Sequence, residues 1–229
     1  MTLTHTTLIR SAAVAAVAAG LIFIGVQIGH PHADVTAVTT TEWAVRNSLK
    51  VLMTILALAG ITGMYLRQVR QTGVLGLLGY LTFAAGYLTL MSTAFVSALV
   101  LPSIAATDPG YVDDVLAAAT NGSATGDIGL MQVALSLTGI TFLGGGLVFG
   151  IALYRARVLA RWAAALLAVA SVLTASLAVL PDAFYRFLAF PNSIAMIGLG
   201  YSLWLSTRVG TTALATGVDT TPLTSASAP

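Results

Sequence analysis

The chain has 229 residues, of which 57% are hydrophobic and 8% charged, with a formal net charge of +2. Soluble domains carry about a quarter charged residues. A water-soluble fold lacks the polar residues to cover this much apolar surface, so a soluble helical bundle with an outsized core is the disfavoured alternative. There is no cysteine, which excludes disulfides, thiolate-held haem, iron–sulfur clusters and thiol nucleophiles.

Six apolar segments follow in chain order, at about 8–28, 49–66, 74–101, 128–154, 158–180 and 187–206. Crossing a bilayer takes roughly 20 apolar residues. Backbone groups in lipid must be satisfied within the segment, so helices are expected, and long continuous runs argue against a barrel. The expected fold is therefore an all-α polytopic membrane bundle of about six transmembrane helices. It forms one domain over 1–208, followed by a disordered Thr-, Ser- and Ala-rich cytoplasmic tail over 209–229.

Segment one has a short basic start, and Val35-Thr36-Ala37 resembles a signal cleavage site. Its apolar run exceeds the roughly 7–15 residues of a signal peptide, which favours a retained span. Segment two is expected to begin early, with Thr39 and Glu42 as a capping box and Trp43 at headgroup level. Segment three is long for one crossing and either tilts or extends outward. Pro102 and the Asp108-Pro109-Gly110 turn mark its end. A short outer helix is expected from Tyr111 to Thr120, with Asp113 and Asp114 near its start. Asn121-Gly122-Ser123 matches a glycosylation sequon, read as chance. Pro191 lies inside segment six and is expected to kink or break it.

Loop charges set the orientation. With the N-terminus inside, Arg10, Arg67, Arg70, Arg155, Arg157, Arg161 and Arg208 are cytoplasmic, against Arg46, Lys50 and Arg186 outside. Positive charge resists translocation, so both termini are expected in the cytoplasm. Seven of the eight acids fall outside, Asp182 among them, and only Asp219 inside.

Chemistry-bearing motifs are sparse. His30-Pro31-His32 with Asp34 has metal-ligand character, but no fourth ligand is evident and the histidines flank a proline. There is no HExxH, no Gly-x-Ser-x-Gly and no paired carboxylates within a span. No catalytic residue, cofactor or metal is expected, the protein reads as no enzyme, and no basic face suggests nucleic acid. Gln132, Thr138, Thr141 and Asn192 are the residues that would line a polar cavity, with Tyr80 and Tyr87 as further buried polar candidates; interhelical hydrogen bonds explain all of them equally well. Gly25-x-x-x-Gly29 and Gly146-x-x-x-Gly150 are expected to pack helices closely, and Gly144-Gly145-Gly146 reads as packing in preference to a hinge. The second, fourth and sixth segments share a glycine–aromatic–arginine ending. Duplicated helical hairpins or a common aromatic belt would each produce it.

The stretches Ile61–Gln68 and Gly73–Tyr80, Phe149-Gly150-Ile151-Ala152, Arg161-Trp162-Ala163-Ala164 and Gly198-Leu199-Gly200-Tyr201 resemble a family of multi-pass membrane proteins of unknown function common in actinobacteria. The resemblance covers about residues 8–206. It implies a bacterial plasma-membrane location and no catalytic residue. Members often read His-Pro-Pro where this chain has His30-Pro31-His32, which further weakens a metal role. Two functions are expected to compete: a non-catalytic membrane component packing against itself or other subunits in the lipid bilayer, and a permease-like protein for a small uncharged solute.

Overall fold

The computed structural model describes residues 4–29, 32–120, 124–175 and 189–215. His30, Pro31, the 121–123 sequon, Asp182, Arg186 and the tail from 216 lie outside them. The described chain is all-helical: α1 (His5–Gln27), α2 (Val35–Val38), α3 (Thr41–Arg67), α4 (Val69–Phe95), a π turn (Val96–Val100), α5 (Leu101–Ile104), α6 (Pro109–Ala119), α7 (Leu130–Ala156), α8 (Arg161–Ala175) and α9 (Ala189–Ala215). Four stretches are long and apolar enough to cross a membrane: α1, α3, the run Val69–Ile104, which is kinked at Gly73 (φ +57°), and α7. The described part of α8 is a shorter apolar helix, and the rest of the expected fifth span, to 180, is outside the described residues. The last helix continues to Ala215, past the expected tail boundary at 209.

The six long helices form a closed ring in chain order, α1–α3–α4–α7–α8–α9, with α9 packing back on α1. Small residues make the closure. Ala12, Ala13, Ala16, Ala19 and Gly20 of α1 are buried. A methyl group on Gly60 of α3 would lie 2.7 Å from the Ala16 Cβ, and one on Gly200 of α9 would lie 2.9 Å from the Ala13 carbonyl oxygen. Such near-contact of helix backbones matters in lipid, where van der Waals packing replaces the hydrophobic drive between helices.

Hydrogen bonds register the two ends of the ring. At one end Arg10 donates to Thr207 (3.1 Å), Arg67 to Ser206 Oγ (3.1 Å) and the Ala160 N–H to Ser202 Oγ (2.8 Å). At the other, Arg46 of α3 donates to the carbonyls of Val26 (3.1 Å) and Ile28 (2.9 Å) while paired with Glu42 (2.8 Å). The cation thus serves orphan carbonyls at the end of α1, where the helix dipole also favours it.

Several local expectations are corrected. The α3 cap is Thr40, whose Oγ accepts from the Trp43 N–H (3.2 Å); Thr39 donates to Thr36 instead, and Glu42 turns to Arg46. Trp43 does not project freely from the bundle. It is buried, and its indole N–H donates to the Ser97 carbonyl (2.9 Å). The third segment ends at Ile104, between the expected markers Pro102 and Asp108, and the π turn carries the helix past the proline. The Leu101 N–H bonds to the Val96 carbonyl, five residues back. In that register Pro102 would serve Ser97 but has no N–H to give. The Trp43 indole takes its place.

That substitution predicts the outcome of Trp43→Phe. The ring volume is largely kept and the donor is lost, which leaves the Ser97 carbonyl unsatisfied at a cost of about 1–3 kcal/mol. Unfolding in detergent and faster amide exchange across residues 96–101 measure it. Unchanged exchange there would mean that the indole bond is dispensable.

The short helix expected from Tyr111 starts two residues earlier, since Asp108 caps it (Tyr111 N–H, 3.0 Å) and Pro109 takes the first position. Pro191 breaks nothing: it stands two residues from the first described residue of α9, and the helix runs on from it through Ala215.

Candidate functional site

The most extensive contact between helices is that of α4 with α7, and it has a reciprocal pattern. Methyl groups on Gly79 and Gly86 of α4 would each come within 2.6 Å of a backbone nitrogen of α7, at Phe149 and Phe142 respectively. Between them the roles swap: a methyl on Gly145 of α7 would collide with the Phe83 backbone of α4. Gly79, Phe83 and Gly86 therefore face Phe149, Gly145 and Phe142. The spacing of four and then three residues keeps each set on one helix face.

The rings freed by these glycines fill the middle of the bundle. Phe83 and Phe149 are fully buried. Phe83 lies 4.7 Å from Tyr87, 5.3 Å from Phe142 and 6.2 Å from Phe149 between ring centroids, and Tyr87 meets Phe142 edge-on at 5.1 Å. Tyr80 extends the row, stacked on Tyr65 at 4.8 Å, with its hydroxyl 3.0 Å from Thr62 Oγ1. Met64, Leu153, Leu167, Leu199 and Leu203 complete a continuous core from the other helices.

The residues expected to line a polar cavity are not brought together. Gln132 is exposed near the start of α7. Thr138 and Thr141 are half-buried, and each hydroxyl donates back to a carbonyl of its own helix, at Ala134 and Leu137. Asn192 is buried on α9, and its Oδ1 has no hydrogen-bond partner among the described residues. The glycines divide as well. Gly146 and Gly150 sit in the α7–α8 interface, against Ser171 and against Ala164 and Ala168. Gly25 is exposed with nothing within 4 Å of an added methyl, and Gly29 lies beyond α1 with φ +63°. That pair is no packing motif, because its second glycine is outside the helix. Gly144 to Gly146 lie in unbroken helix and form no hinge.

Outside the bundle, two carboxylates are spoken for. Asp34 accepts from the Thr36 hydroxyl (2.6 Å) and the Ala37 N–H (2.7 Å), which together hold it below the usual carboxylate range. Both bonds fall on Oδ1; the candidate partner His30 lies outside the described residues, among which no metal-ligand cluster occurs. Asp114 accepts from the Thr125 N–H (2.6 Å), the Thr125 hydroxyl (2.9 Å) and the Gly126 N–H (3.1 Å). These bonds hold its carboxyl below the usual range, the Thr125 N–H contributing most.

A pH dependence follows for this loop. A carboxyl with a lowered folded pKa stabilises above its unfolded value, and the contribution fades as pH falls through the folded one. The Thr125 and Gly126 amide resonances should therefore hold constant from neutral pH down past the ordinary aspartate midpoint and move only below it. Midpoints at the ordinary aspartate value would contradict the pinning, and Asp114→Ala should abolish the transition.

The comparisons with known proteins are silent. No family model, no curated protein and no solved structure matches the chain. The reading of the seam therefore rests on geometry alone. Sequence reasoning singled out Gly146 and Gly150 and read Gly145 as a packing residue without a partner, but missed Gly79, Phe83 and Gly86. The available signal was the pair Gly-x-x-x-Phe-x-x-Gly at 79–86 and Phe-x-x-Gly-x-x-x-Phe at 142–149, which are complementary when read antiparallel.

Proposed function

We propose that this chain is a six-span component of the bacterial cytoplasmic membrane, with both termini inside, that performs no catalysis and works by packing with partner subunits or with itself. The filled centre carries this reading: Phe83, Phe149, Leu153, Leu199 and Leu203 occupy the space a solute would cross. The closed ring supports a retained first span, because α1 packs on both α3 and α9. The segregation of seven arginines to one end supports the orientation. Membership of the actinobacterial-type family is part of the same proposal.

The permease reading keeps one supporting observation, the buried Asn192 Oδ1, which has no partner among the described residues. An acceptor left without a donor inside a bundle costs free energy and often marks a site for water or solute.

Affinity purification in mild detergent, with identification of what co-purifies and measurement of mass, tests the proposal. A stoichiometric membrane partner or a defined oligomer is expected. A monomer recovered alone, combined with solute uptake in vesicles that Asn192→Leu abolishes, would replace it with the permease reading. A reporter on the C-terminal tail should be active in the cytoplasm.

A further inference from the structure

The corner between α7 and α8 gathers three arginines in seven residues. Arg155 lies in the last turn of α7, Arg157 is the residue just past the helix, and Arg161 opens α8; all three are exposed. The corner is held in place: Leu159 is buried, and the Ala160 N–H is bonded to Ser202 Oγ (2.8 Å). Arg157 has φ +58°, the only left-handed non-glycine residue among those described. The Arg161 guanidinium lies 4.3 Å from the Tyr154 ring centroid, which fixes its direction by a cation–π contact. Tyr154 and Trp162, both well exposed, flank the cluster. None of the three arginines meets a carboxylate: the only ion pair among the described residues joins Arg46 and Glu42 at the far end. Asp34, Glu42, Asp108, Asp113, Asp114 and Asp127 all belong to that far end by their places in the ring.

We infer that this corner is a docking surface for the phosphodiester headgroups of anionic phospholipid. The inference rests on the proposed bilayer reading and adds a ligand to it. Uncompensated arginines beside interfacial aromatic rings stand at the depth of the phosphates. Guanidinium groups present paired donors that match phosphate oxygens. Arg10, Arg67 and Arg70 continue the positive collar, while Arg10 and Arg67 are partly engaged with Thr207 and Ser206. The α7–α8 corner is therefore the part of the collar with most donors to offer.

The test uses the full chain in nanodiscs of equimolar phosphatidylcholine and phosphatidylglycerol, with retained lipid counted by native mass spectrometry after transfer to neutral detergent. The wild type should retain phosphatidylglycerol in preference, and high salt should abolish the preference. The triple variant Arg155→Gln, Arg157→Gln, Arg161→Gln should lose roughly five-fold of it per arginine removed at low salt. The corresponding triple Arg→Lys variant should keep most of it, and Arg46→Gln at the opposite end should change nothing. If the triple glutamine variant fails to fold, the wild-type salt titration and the lysine variant still decide. Equal retention of both lipids by the wild type, or a preference that survives high salt, would overturn the inference. Incorporation into pure phosphatidylcholine discs reports on the bilayer reading separately, so the two failures are distinguishable.

Discussion

Gly145→Ala should destabilise the protein, although helix propensity predicts the opposite. In a helix interior alanine is favoured over glycine by about 1 kcal/mol. At Gly145 the added methyl runs into the backbone of Phe83, which cannot rotate away as a flexible side chain could. Overpacking of this kind costs about 1–3 kcal/mol, and the rigid neighbour places it at the upper end, so the net sign reverses. Gly139 and Gly144 provide the internal control. They lie on the same helix, and an added methyl at either meets nothing within 4 Å. Alanine there should be neutral or slightly stabilising. Because the obstruction is Phe83 backbone, adding Phe83→Ala should not rescue Gly145→Ala. Thermal unfolding in detergent, followed by tryptophan fluorescence, measures all four variants. Rescue by the double mutant, or three glycines behaving alike, would disprove the seam.

How far the sequence alone carried can be judged residue by residue. The apolar run at 128–154 and the observed α7, Leu130–Ala156, differ by two residues at each end. Length and composition of a run are local properties, and they suffice to call a helix. Partners are not local. The Thr39–Glu42 capping-box spacing favours Thr39 as the cap, yet Thr40 takes the role, because the choice is made by where the chain enters α3. Trp43 reads as an interfacial residue until Ser97, 54 positions away, is known to need a donor. Pro102 reads as a helix end because proline removes a bond, and only the π turn with its indole partner lets the helix continue. Arg46 reads as one external charge, yet it caps α1 from a neighbouring helix.

The glycines show the same division. Each of Gly25, Gly79, Gly86, Gly139, Gly145 and Gly150 is a glycine in a helical apolar run. Some face a backbone, and others face outward. A four-residue spacing within one helix does not distinguish them, since Gly25 and Gly29 share it with Gly146 and Gly150. What distinguishes the seam glycines Gly79, Gly86 and Gly145 is complementarity between two helices, where a glycine on one is matched by a phenylalanine at the same level on the other. That property belongs to pairs of segments and was invisible to a reading taken one span at a time. The candidate polar residues failed for a related reason. Thr138 and Thr141 satisfy their hydroxyls within their own helix turn, so neither needs a neighbour to be tolerated in lipid.

Phe83→Ala tests the seam from its other side and should cost more than any outward-facing truncation. Phe83 is fully buried and touches the rings of Tyr87, Phe142 and Phe149. Its backbone is held against Gly145, so α4 and α7 cannot move closer to close the gap. A phenylalanine-to-alanine truncation in a site that cannot collapse costs about 3–5 kcal/mol, through lost contacts and the cavity left behind. Phe95, at the end of α4 and half exposed, is the matched comparison, because lipid chains refill the space it vacates. Phe83→Leu should fall between them, keeping part of the volume but none of the ring contacts. The same unfolding measurement ranks the three variants. If Phe83→Ala and Phe95→Ala prove equal, the centre of the bundle is not close-packed, and the argument against a solute path fails with it.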